Sequence, residues 1–411
     1  GKNIESSSNV IDKVNHKQVT IAGAGENAKL SFPVDTTATY LYLNNSIILK
    51  DIQVEWPSRI FAEGNTFIVE SSVKQVGSKE PMLMGGSNYH DLDKTDLRIY
   101  AGTYSKIIGG SLKNTIGETN VIVGGNVNSG IDTSSHDHTY VLLGGSYSEG
   151  ANCIISGNTN VIVEEGAKFN YVFGGGAVTG SDNIKSKSSV LGDTHVSFAG
   201  EALSVYGGAC ARLTGTLDKT VPCNNTNVTI APGAKVQQVF GGSEYASING
   251  SVNMQLIGGE ITRRVFGGSY NGTDGSTSYY ANGTIVVAVA PEVKLTLKTD
   301  SDNSLSAISR HKNVSENEKG IFIFNNYTAN TTNMGKIGID STLTWLYSFD
   351  SKTHDHLVKV GANGSASVVD GKLVVTPNSG YAASVTGATD NGDGTYTLTA
   401  TEVIVTFSAS N

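Results

Sequence analysis

Short segments with alternating apolar and polar residues recur along most of the chain, and no helical period lies between them. In five segments that align with one another, the residues predicted to face inward form pairs separated by one residue. These pairs are Leu97 and Ile99, Val161 and Val163, Val196 and Phe198, Val228 and Ile230, and Met254 and Leu256. One such strand is too short to bury its apolar face alone, so the pattern predicts stacked strands sharing a continuous core.

A second signal is an apolar strand that ends in Gly-Gly. It recurs at Gly85-Gly86, Gly109-Gly110, Gly144-Gly145, Gly174-Gly175, Gly207-Gly208, Gly241-Gly242 and Gly267-Gly268. A fixed phrase at irregular spacing is typical of a solenoid whose loops vary in length. We expect the glycines to allow sharp turns between strands, because Gly adopts a positive φ at little cost. A column of Asn residues is predicted just before the stacked strands, at Asn120, Asn160, Asn227 and Asn253, with His195 in one unit.

The repeated pattern ends near residue 320, and the last part of the chain differs. Residues 358–411 are predicted to form a small separate all-β module, with strands near Leu373, Tyr396 and Ile404. Turn clusters rich in Gly, Asn and Asp separate these strands. The predicted organisation is therefore an extension at 1–17, a β-solenoid at 18–350 and the small module at 358–411.

The composition narrows the class of partner. Lys and Arg total 29 and Asp and Glu total 37, which gives a formal net charge of −8. Nucleic-acid binding needs a concentrated basic surface, so it is not expected. No apolar stretch is long enough to cross a bilayer. Because the chain begins at Gly1 and shows no signal-like segment, we expect a mature fragment.

The chain has three cysteines, Cys153, Cys210 and Cys223. An odd number at low density does not indicate a disulfide framework. Cys210 and Cys223 could pair across a loop, but spacing alone does not show this, and buried free thiols are the interpretation we favour.

The repeated units resemble the Gly-rich repeats of large secreted or wall-attached proteins of Gram-positive gut bacteria. The resemblance rests on Thr-Asn-Val, a single Gly and Val-Phe-Gly-Gly-Ser, and it covers about residues 18–295. It implies a right-handed parallel β-helix similar to the pectate-lyase-like superfamily, and a secreted or cell-wall location. The segment from Gly380 to Phe407 resembles the small Ig-like modules that join bacterial surface domains, which implies a β-sandwich-like fold.

Many parallel β-helix proteins cleave polysaccharides, and such enzymes need clustered carboxylates or basic residues at one place. The densest local cluster is Asp91, Asp93 and Asp96 with Arg98, preceded by His90. These residues are the catalytic candidates if the protein is an enzyme. A solvated turn between coils is the interpretation we favour, because no second constellation in the repeats matches this cluster.

Metal ligation is the next chemistry to consider. His136 and His138 lie one residue apart, as do His354 and His356, so each pair could share a metal, but no third ligand is evident. Asp193 and His195 share a face and could hydrogen-bond. Residues 390–394 lack the ligand series of a calcium loop and are predicted to form a hairpin turn. No cofactor is indicated.

Tyrosines supply the candidate ligand-binding residues. Tyr147 and Tyr270 follow Gly-Gly-Ser directly, and Tyr89 and Tyr245 lie one residue later. In-register stacking would place these four in a ladder, and aromatic faces with a polar tip suit the sugar rings of a polymer. Covering of the solenoid edge is an equal alternative. A second aromatic column is predicted to be buried core, at Phe173, Tyr206, Phe240 and Phe266.

These observations predict a non-catalytic domain of an extracellular surface protein. It would bind a polysaccharide or host glycan surface, or act as a rigid spacer between other domains of a longer protein. The alternative is a polysaccharide lyase or glycoside hydrolase acting on a plant or host polysaccharide.

Overall fold

The computed structural model describes residues 18–25, 27–32, 40–129, 140–149, 152–179, 187–210, 223–270, 279–290, 292–296, 305–306, 309, 319–324, 343–349, 356–361, 363–369, 372–400 and 402–410. The predicted extension at 1–17 lies outside these residues, as do His136 and His138. All regular secondary structure in the described residues is β-strand. The strands are numbered β1 to β37 along the chain.

Two long parallel sheets form the solenoid. The first sheet contains β1 (Val19–Ala22), β4 (Ile47–Lys50), β7 (Thr66–Val69), β10 (Leu92–Gly102), β12 (Thr115–Val127), β15 (Asn152–Ile155), β16 (Thr159–Val163), β19 (Lys187–Val190), β20 (Thr194–Phe198), β22 (Thr226–Ile230), β24 (Val252–Leu256), β26 (Thr284–Val289) and β29 (Lys319–Phe324). The second contains β3 (Tyr40–Tyr42), β6 (Arg59–Phe61), β9 (Met82–Met84), β11 (Lys106–Ile108), β13 (Val141–Leu143), β17 (Lys168–Phe173), β21 (Glu201–Tyr206), β23 (Lys235–Phe240), β25 (Glu260–Phe266), β27 (Lys294–Leu295) and β28 (Leu305–Ser306).

Shorter parallel strands complete the coils. Near the N-terminal end these are β2 (Lys29–Ser31), β5 (Gln53–Glu55) and β8 (Lys74–Gln75). Farther along, β14 (Tyr147–Glu149) pairs with β18 (Ala177–Thr179). Single parallel bridges continue this pairing from Ala177 through Cys210 and Glu244 to Tyr270. The chain therefore alternates between the two long sheets, so the predicted parallel β-helix is confirmed; its right-handed sense stays a prediction.

The stacking register follows the predicted inward positions. One column runs through Leu97, Val121, Val161, Val196, Val228, Met254 and Val287. All five predicted inward pairs are buried in the main core. The coils differ in length, since Leu97 pairs with Val121 whereas Val121 pairs with Val161. The variable loops therefore leave the stacked strands aligned.

The Asn column also forms, with Asn120, Asn160, His195, Asn227 and Asn253 in register. The Asn side chains of this column donate hydrogen bonds to oxygens of other residue types. Asn120 Nδ2 donates to Asp96 Oδ1 at 2.8 Å, and Asn227 Nδ2 donates to the carbonyl oxygen of Thr194 at 3.4 Å.

The repeated glycines are required by close approach rather than by φ. A Cβ placed on Gly174 would overlap the carbonyl oxygen of Gly207, and one on Gly207 would overlap that of Gly241. The first glycine of each Gly-Gly pair lies outside the left-handed region. The expected positive φ occurs instead at glycines that lead from the first sheet to the second, Gly102, Gly166, Gly233 and Gly259.

A buried threonine column connects the two sheets at the same level. Thr159 Oγ1 donates to the carbonyl oxygen of Gly174 at 2.6 Å, and Thr194 Oγ1 donates to that of Gly207 at 2.6 Å. Thr95, Thr119 and Thr226 make the equivalent bond. Each bond satisfies a polar group that lies inside the solenoid, where an unpaired one is costly.

The serine after Gly-Gly links consecutive coils. The amide nitrogen of Ser243 donates to Ser269 Oγ at 3.0 Å, and that of Ser269 donates to Ser309 Oγ at 2.7 Å. These serines are fully or almost fully buried. The Gly-Gly-Ser phrase is therefore a structural element of the coil. In it, a serine hydroxyl accepts the inter-coil hydrogen bond that a backbone carbonyl would accept in a regular ladder.

Alternating charges line the start of the second-sheet strands. Lys168, Glu201, Lys235, Glu260 and Lys294 lie in one register column. Lys168 Nζ lies 3.0 Å from Glu201 Oε2, and Lys294 Nζ lies 2.9 Å from Glu260 Oε1. Exposed pairs contribute little stability each, but a one-coil slip would place like charges together.

The predicted aromatic column is stacked and buried. Ring centroids lie 4.7 Å apart for Phe173 and Tyr206, 4.8 Å for Tyr206 and Phe240, and 5.5 Å for Phe240 and Phe266. The rings form a cluster separate from the main core, because neighbouring residues such as Val172 and Val239 point to the other face of the sheet. They therefore pack on the outer face of the second sheet.

The C-terminal module has two sets of strands around its own core, and the first set continues the first long sheet of the solenoid. One joins β30 (Leu343–Phe349), β31 (His356–Gly361), β37 (Glu402–Ala409) and β34 (Tyr381–Thr386), and β30 pairs antiparallel with β29 of the solenoid. The other joins β32 (Gly364–Val369), β33 (Lys372–Pro377), β36 (Thr395–Leu398) and β35 (Ala388–Asp390). Val358, Leu373, Val403, Val405 and Phe407 form the core, so the β-sandwich-like module is confirmed.

The three cysteines are buried thiols, and none of them forms a disulfide. Burial raises the pKa of Cys153 and of Cys223 to about 12. No disulfide joins Cys210 to Cys223, in agreement with the favoured interpretation.

Gly174→Ala is expected to destabilise the fold by ~3 kcal/mol or more, because its Cβ meets backbone rather than a side chain that can move. Gly25→Ala is the control, since nothing lies within 4 Å of a Cβ there. Urea unfolding of both variants measures the difference. Equal midpoints would contradict the close-approach explanation.

Thr159→Val is expected to cost about 1–3 kcal/mol, because the carbonyl of Gly174 loses its buried donor. The branched shape itself fits, since Val252 occupies the same column. Thr159→Ser keeps the hydroxyl and should recover much of the loss in the same unfolding assay. A valine variant as stable as the wild type would show that the hydrogen bond contributes nothing.

Candidate functional site

An open cleft of about 530 Å³ lies on the outer face of the first sheet. It crosses the consecutive strands β7, β10, β12 and β16. Its polar and aromatic lining includes Glu70, Arg98, Tyr100, Asn126 and Glu164. The apolar side chain of Ile68 lies beside Arg98 in register. The cleft therefore runs across several coils rather than within one loop.

A β-bulge of two glycines shapes the floor of the cleft. Ile99 pairs with Val123 but Ala101 pairs with Asn126, so Tyr100 lies opposite both Gly124 and Gly125. A Cβ on Gly124 would overlap the Tyr100 ring and would lie 3.1 Å from Glu164 Oε2. The ring of Tyr100 and the carboxylate of Glu164 thus meet above Gly124, in space that any other residue would fill.

Arg98 is held in place by a network around Asp96. Its Nε donates to Asp96 Oδ1 at 3.2 Å and its Nη2 donates to Asp96 Oδ2 at 3.0 Å. Asn120 Nδ2 and Thr66 Oγ1 also donate to this carboxylate. The hydrogen bond from Arg98 to Asp96 raises the pKa of the guanidinium. Arg98 is therefore an oriented, permanently charged donor, and Asp96 serves to position it.

The two glutamates start far apart. Glu70 follows β7 and Glu164 follows β16, which are three strand spacings, or about 14 Å, apart at the backbone. The arrangement offers separate acceptors, one guanidinium and one aromatic ring along a groove.

The other members of the predicted acidic cluster do not join Arg98. Asp91 Oδ1 accepts a hydrogen bond from the amide of Thr115 at 2.8 Å, which ties the turn to the next coil. Asp91 and Asp93 are exposed, and His90 Nε2 lies 3.5 Å from Glu63 Oε2. Of the catalytic candidates, only Arg98 lines the cleft, and Asp96 contacts the Arg98 side chain directly.

The predicted tyrosine ladder does not form as one column. The register between Tyr147 and Tyr270 passes through Ala177, Cys210 and Glu244. Tyr245 is 9% exposed and packs edge-on against Tyr270 at 5.6 Å. The ammonium of Lys106 lies over the Tyr147 ring at 5.3 Å.

Tyr89 instead reaches back along the solenoid to Tyr42, at 5.4 Å between centroids, and is 69% exposed. The four tyrosines therefore occupy different places, and a role in ligand binding stays a prediction for each. Their spacing after Gly-Gly-Ser did not reveal this, because the intervening coils carry other residue types at that position.

The remaining sequence candidates have local structural partners. Asp193 Oδ1 accepts hydrogen bonds from the side-chain amides of Asn224 and Asn225 at 2.8 and 2.9 Å. Residues 390–394 connect β35 to β36 as a hairpin, as predicted. Within the described ranges, no three His, Cys, Asp or Glu side chains lie close enough to share a metal ion.

The sequence reasoning missed Tyr100, Asn126 and both glutamates of the cleft. The available signal was Gly124-Gly125, a glycine pair inside a first-sheet strand rather than at the end of a second-sheet strand.

No helix among the described residues is long and apolar enough to cross a membrane.

No protein-family model, no curated protein and no solved structure matches this chain.

Proposed function

We propose that the protein is a non-catalytic domain of an extracellular surface protein that binds a polysaccharide in the cleft of the first sheet. The observation that carries the proposal is a lining drawn from four consecutive coils at a spacing fixed by the sheet: Ile68 on β7, Arg98 and Tyr100 on β10, Asn126 on β12 and Glu164 after β16. A glycan chain offers repeated hydroxyl groups and ring faces over a comparable length. An aromatic face with flanking hydrogen-bonding groups is suited to such a ligand.

The rigidity of the site supports binding rather than turnover. Arg98 is fixed by two hydrogen bonds to Asp96, and Tyr100 lies directly over Gly124. A site fixed before the ligand arrives loses less conformational entropy on binding.

A polysaccharide lyase or glycoside hydrolase is the second candidate, because the cleft combines carboxylates with a guanidinium. A secreted or cell-wall location and a link to further domains of a longer surface protein belong to the same proposal. They are supported by the resemblance of the Gly-rich units and of the C-terminal module to bacterial surface repeats.

Tyr100→Ala and Glu164→Gln are each expected to weaken binding to the recognised polysaccharide about tenfold or more, since each removes a lining group. The measurement is a polysaccharide array followed by titration calorimetry on the hits. Ser197→Ala is the matched control, because Ser197 lies on the outer face of the same sheet, two coils beyond Ile122 in the Arg98 column.

The same samples are assayed for new reducing or unsaturated ends. Binding without product supports the proposal. If product forms and is lost in Asp96→Ala or Glu164→Gln, the binding proposal is wrong and the protein is a polysaccharide lyase or glycoside hydrolase. Binding that survives both cleft variants but is lost in Tyr147→Ala plus Tyr270→Ala would move the site to the second sheet. If no polysaccharide on the array binds, a role as a rigid spacer between other domains becomes the simplest function.

A further inference from the structure

A second polar site lies at the N-terminal end of the second sheet, away from the cleft. Its groups are Tyr42, Glu63, Asn88, Tyr89 and His90. Tyr42 ends β3 and stacks on Phe61 of β6 at 4.9 Å, with 12° between the rings. Tyr89 comes from a later coil and covers Tyr42, and its hydroxyl donates to the Tyr42 hydroxyl at 3.2 Å.

Glu63 has a backbone conformation that glutamate seldom adopts. Its φ is 54° and that of Gly64 is 77°, and the amide of Asn65 donates to the carbonyl of Ala62 at 2.9 Å. These are the φ signs and the hydrogen bond of a type I′ turn, in which Gly, Asn or Asp is preferred at both central positions. Strained residues of this kind persist where the surroundings hold them, and they cluster at functional sites.

The Glu63 carboxylate is buried with one oxygen unsatisfied. Its side chain is 9% exposed, and Oε2 lies 3.5 Å from His90 Nε2, a side chain that is 61% exposed. Within the described part of the chain, no group donates to Glu63 Oε1 or to the amide oxygen Asn88 Oδ1, and both atoms are buried. A buried oxygen without a hydrogen-bond donor is costly, so Glu63 Oε1 and Asn88 Oδ1 are each places where a donor group of a ligand would be favoured.

The walls of the site are aromatic. Tyr42 and Tyr89 lie 5.4 Å apart with their planes tilted by 46°, and the Asn88 side chain hydrogen-bonds to Tyr42. Burial raises the pKa of Tyr42 to about 12, so its hydroxyl stays protonated. Tyrosine faces attract organic cations as well as apolar surface. A carboxylate beside two such rings is the chemistry that recognises an ammonium group.

We infer that Glu63, Asn88, Tyr42 and Tyr89 form a binding site for a primary ammonium group, carried by an amino sugar or by a lysine side chain. The carboxylate oxygen of Glu63 and the amide oxygen of Asn88 accept its hydrogen bonds, and Tyr89 closes over the alkyl carbon or the sugar ring. The site is on the other sheet from the cleft, so this inference does not depend on the proposed polysaccharide binding.

The test is titration of the full chain with three probes: glucosamine, N-acetylglucosamine and Nα-acetyl-lysine amide, followed by calorimetry and by the tyrosine NMR signals. We expect glucosamine or the lysine derivative to bind and N-acetylglucosamine to bind at least tenfold more weakly, because acetylation removes the charge. Whichever ammonium probe binds more tightly identifies the source. Equal binding of glucosamine and N-acetylglucosamine, or no binding of any probe, would overturn the inference.

Variants separate this role from a structural one. Glu63→Gln and Tyr89→Leu are expected to weaken ammonium binding at least tenfold, while Glu118→Gln, which changes an exposed glutamate, leaves it unchanged. Glu63→Gly should abolish binding and raise the melting temperature, because it relieves both the left-handed φ and the buried charge. A lower melting temperature for Glu63→Gly, or unchanged binding in Glu63→Gln, would show that Glu63 serves the fold. Arg98→Ala and Tyr100→Ala should leave this site intact.

Discussion

The close approach of glycine backbones in successive coils is the constraint on which the rest of the structure depends. A side chain at Gly174 or Gly207 would overlap the carbonyl oxygen of the coil above. With no side chain there, the coils come close enough for the threonine hydroxyls to cross the interior and for the serine hydroxyls to link one coil to the next. Polar groups that would otherwise be buried unpaired are thereby satisfied inside a narrow solenoid.

Because the strands stack at a fixed spacing, residues at equivalent positions of successive coils form continuous columns. The same register that aligns the inward valines produces the stacked rings of Phe173, Tyr206 and Phe240 and the alternating column that begins at Lys168 and Glu201. Loops of different length leave this alignment intact, because each coil returns to the same pairing position before the next strand begins. A solenoid of this kind can vary its loops without losing its core.

Both candidate sites lie where a coil departs from the repeat. The bulge at Gly124 and Gly125 interrupts the first sheet and gives Tyr100 its place in the cleft. At Glu63, a tight turn with a left-handed glutamate stands where later coils have Gly-Gly. The bulge places Arg98, Tyr100 and Glu164 in an open cleft, and the turn holds a buried oxygen of Glu63 that has no donor among the described residues. A local departure from the repeat pattern therefore distinguishes the two candidate sites from the rest of the solenoid.

The sequence by itself determined the parallel stacking, the inward pairs such as Val161 and Val163, the buried aromatic column and the small C-terminal module. These follow from a two-residue period and a repeated phrase, which are local properties of the chain. Only the tertiary structure decided that Tyr89 covers Tyr42, that Tyr147 and Tyr270 are separated in their column, and that Glu164 meets Tyr100. The physical reason is that coils of unequal length bring together residues whose separation in sequence carries no period, so their contacts depend on the register of the whole stack.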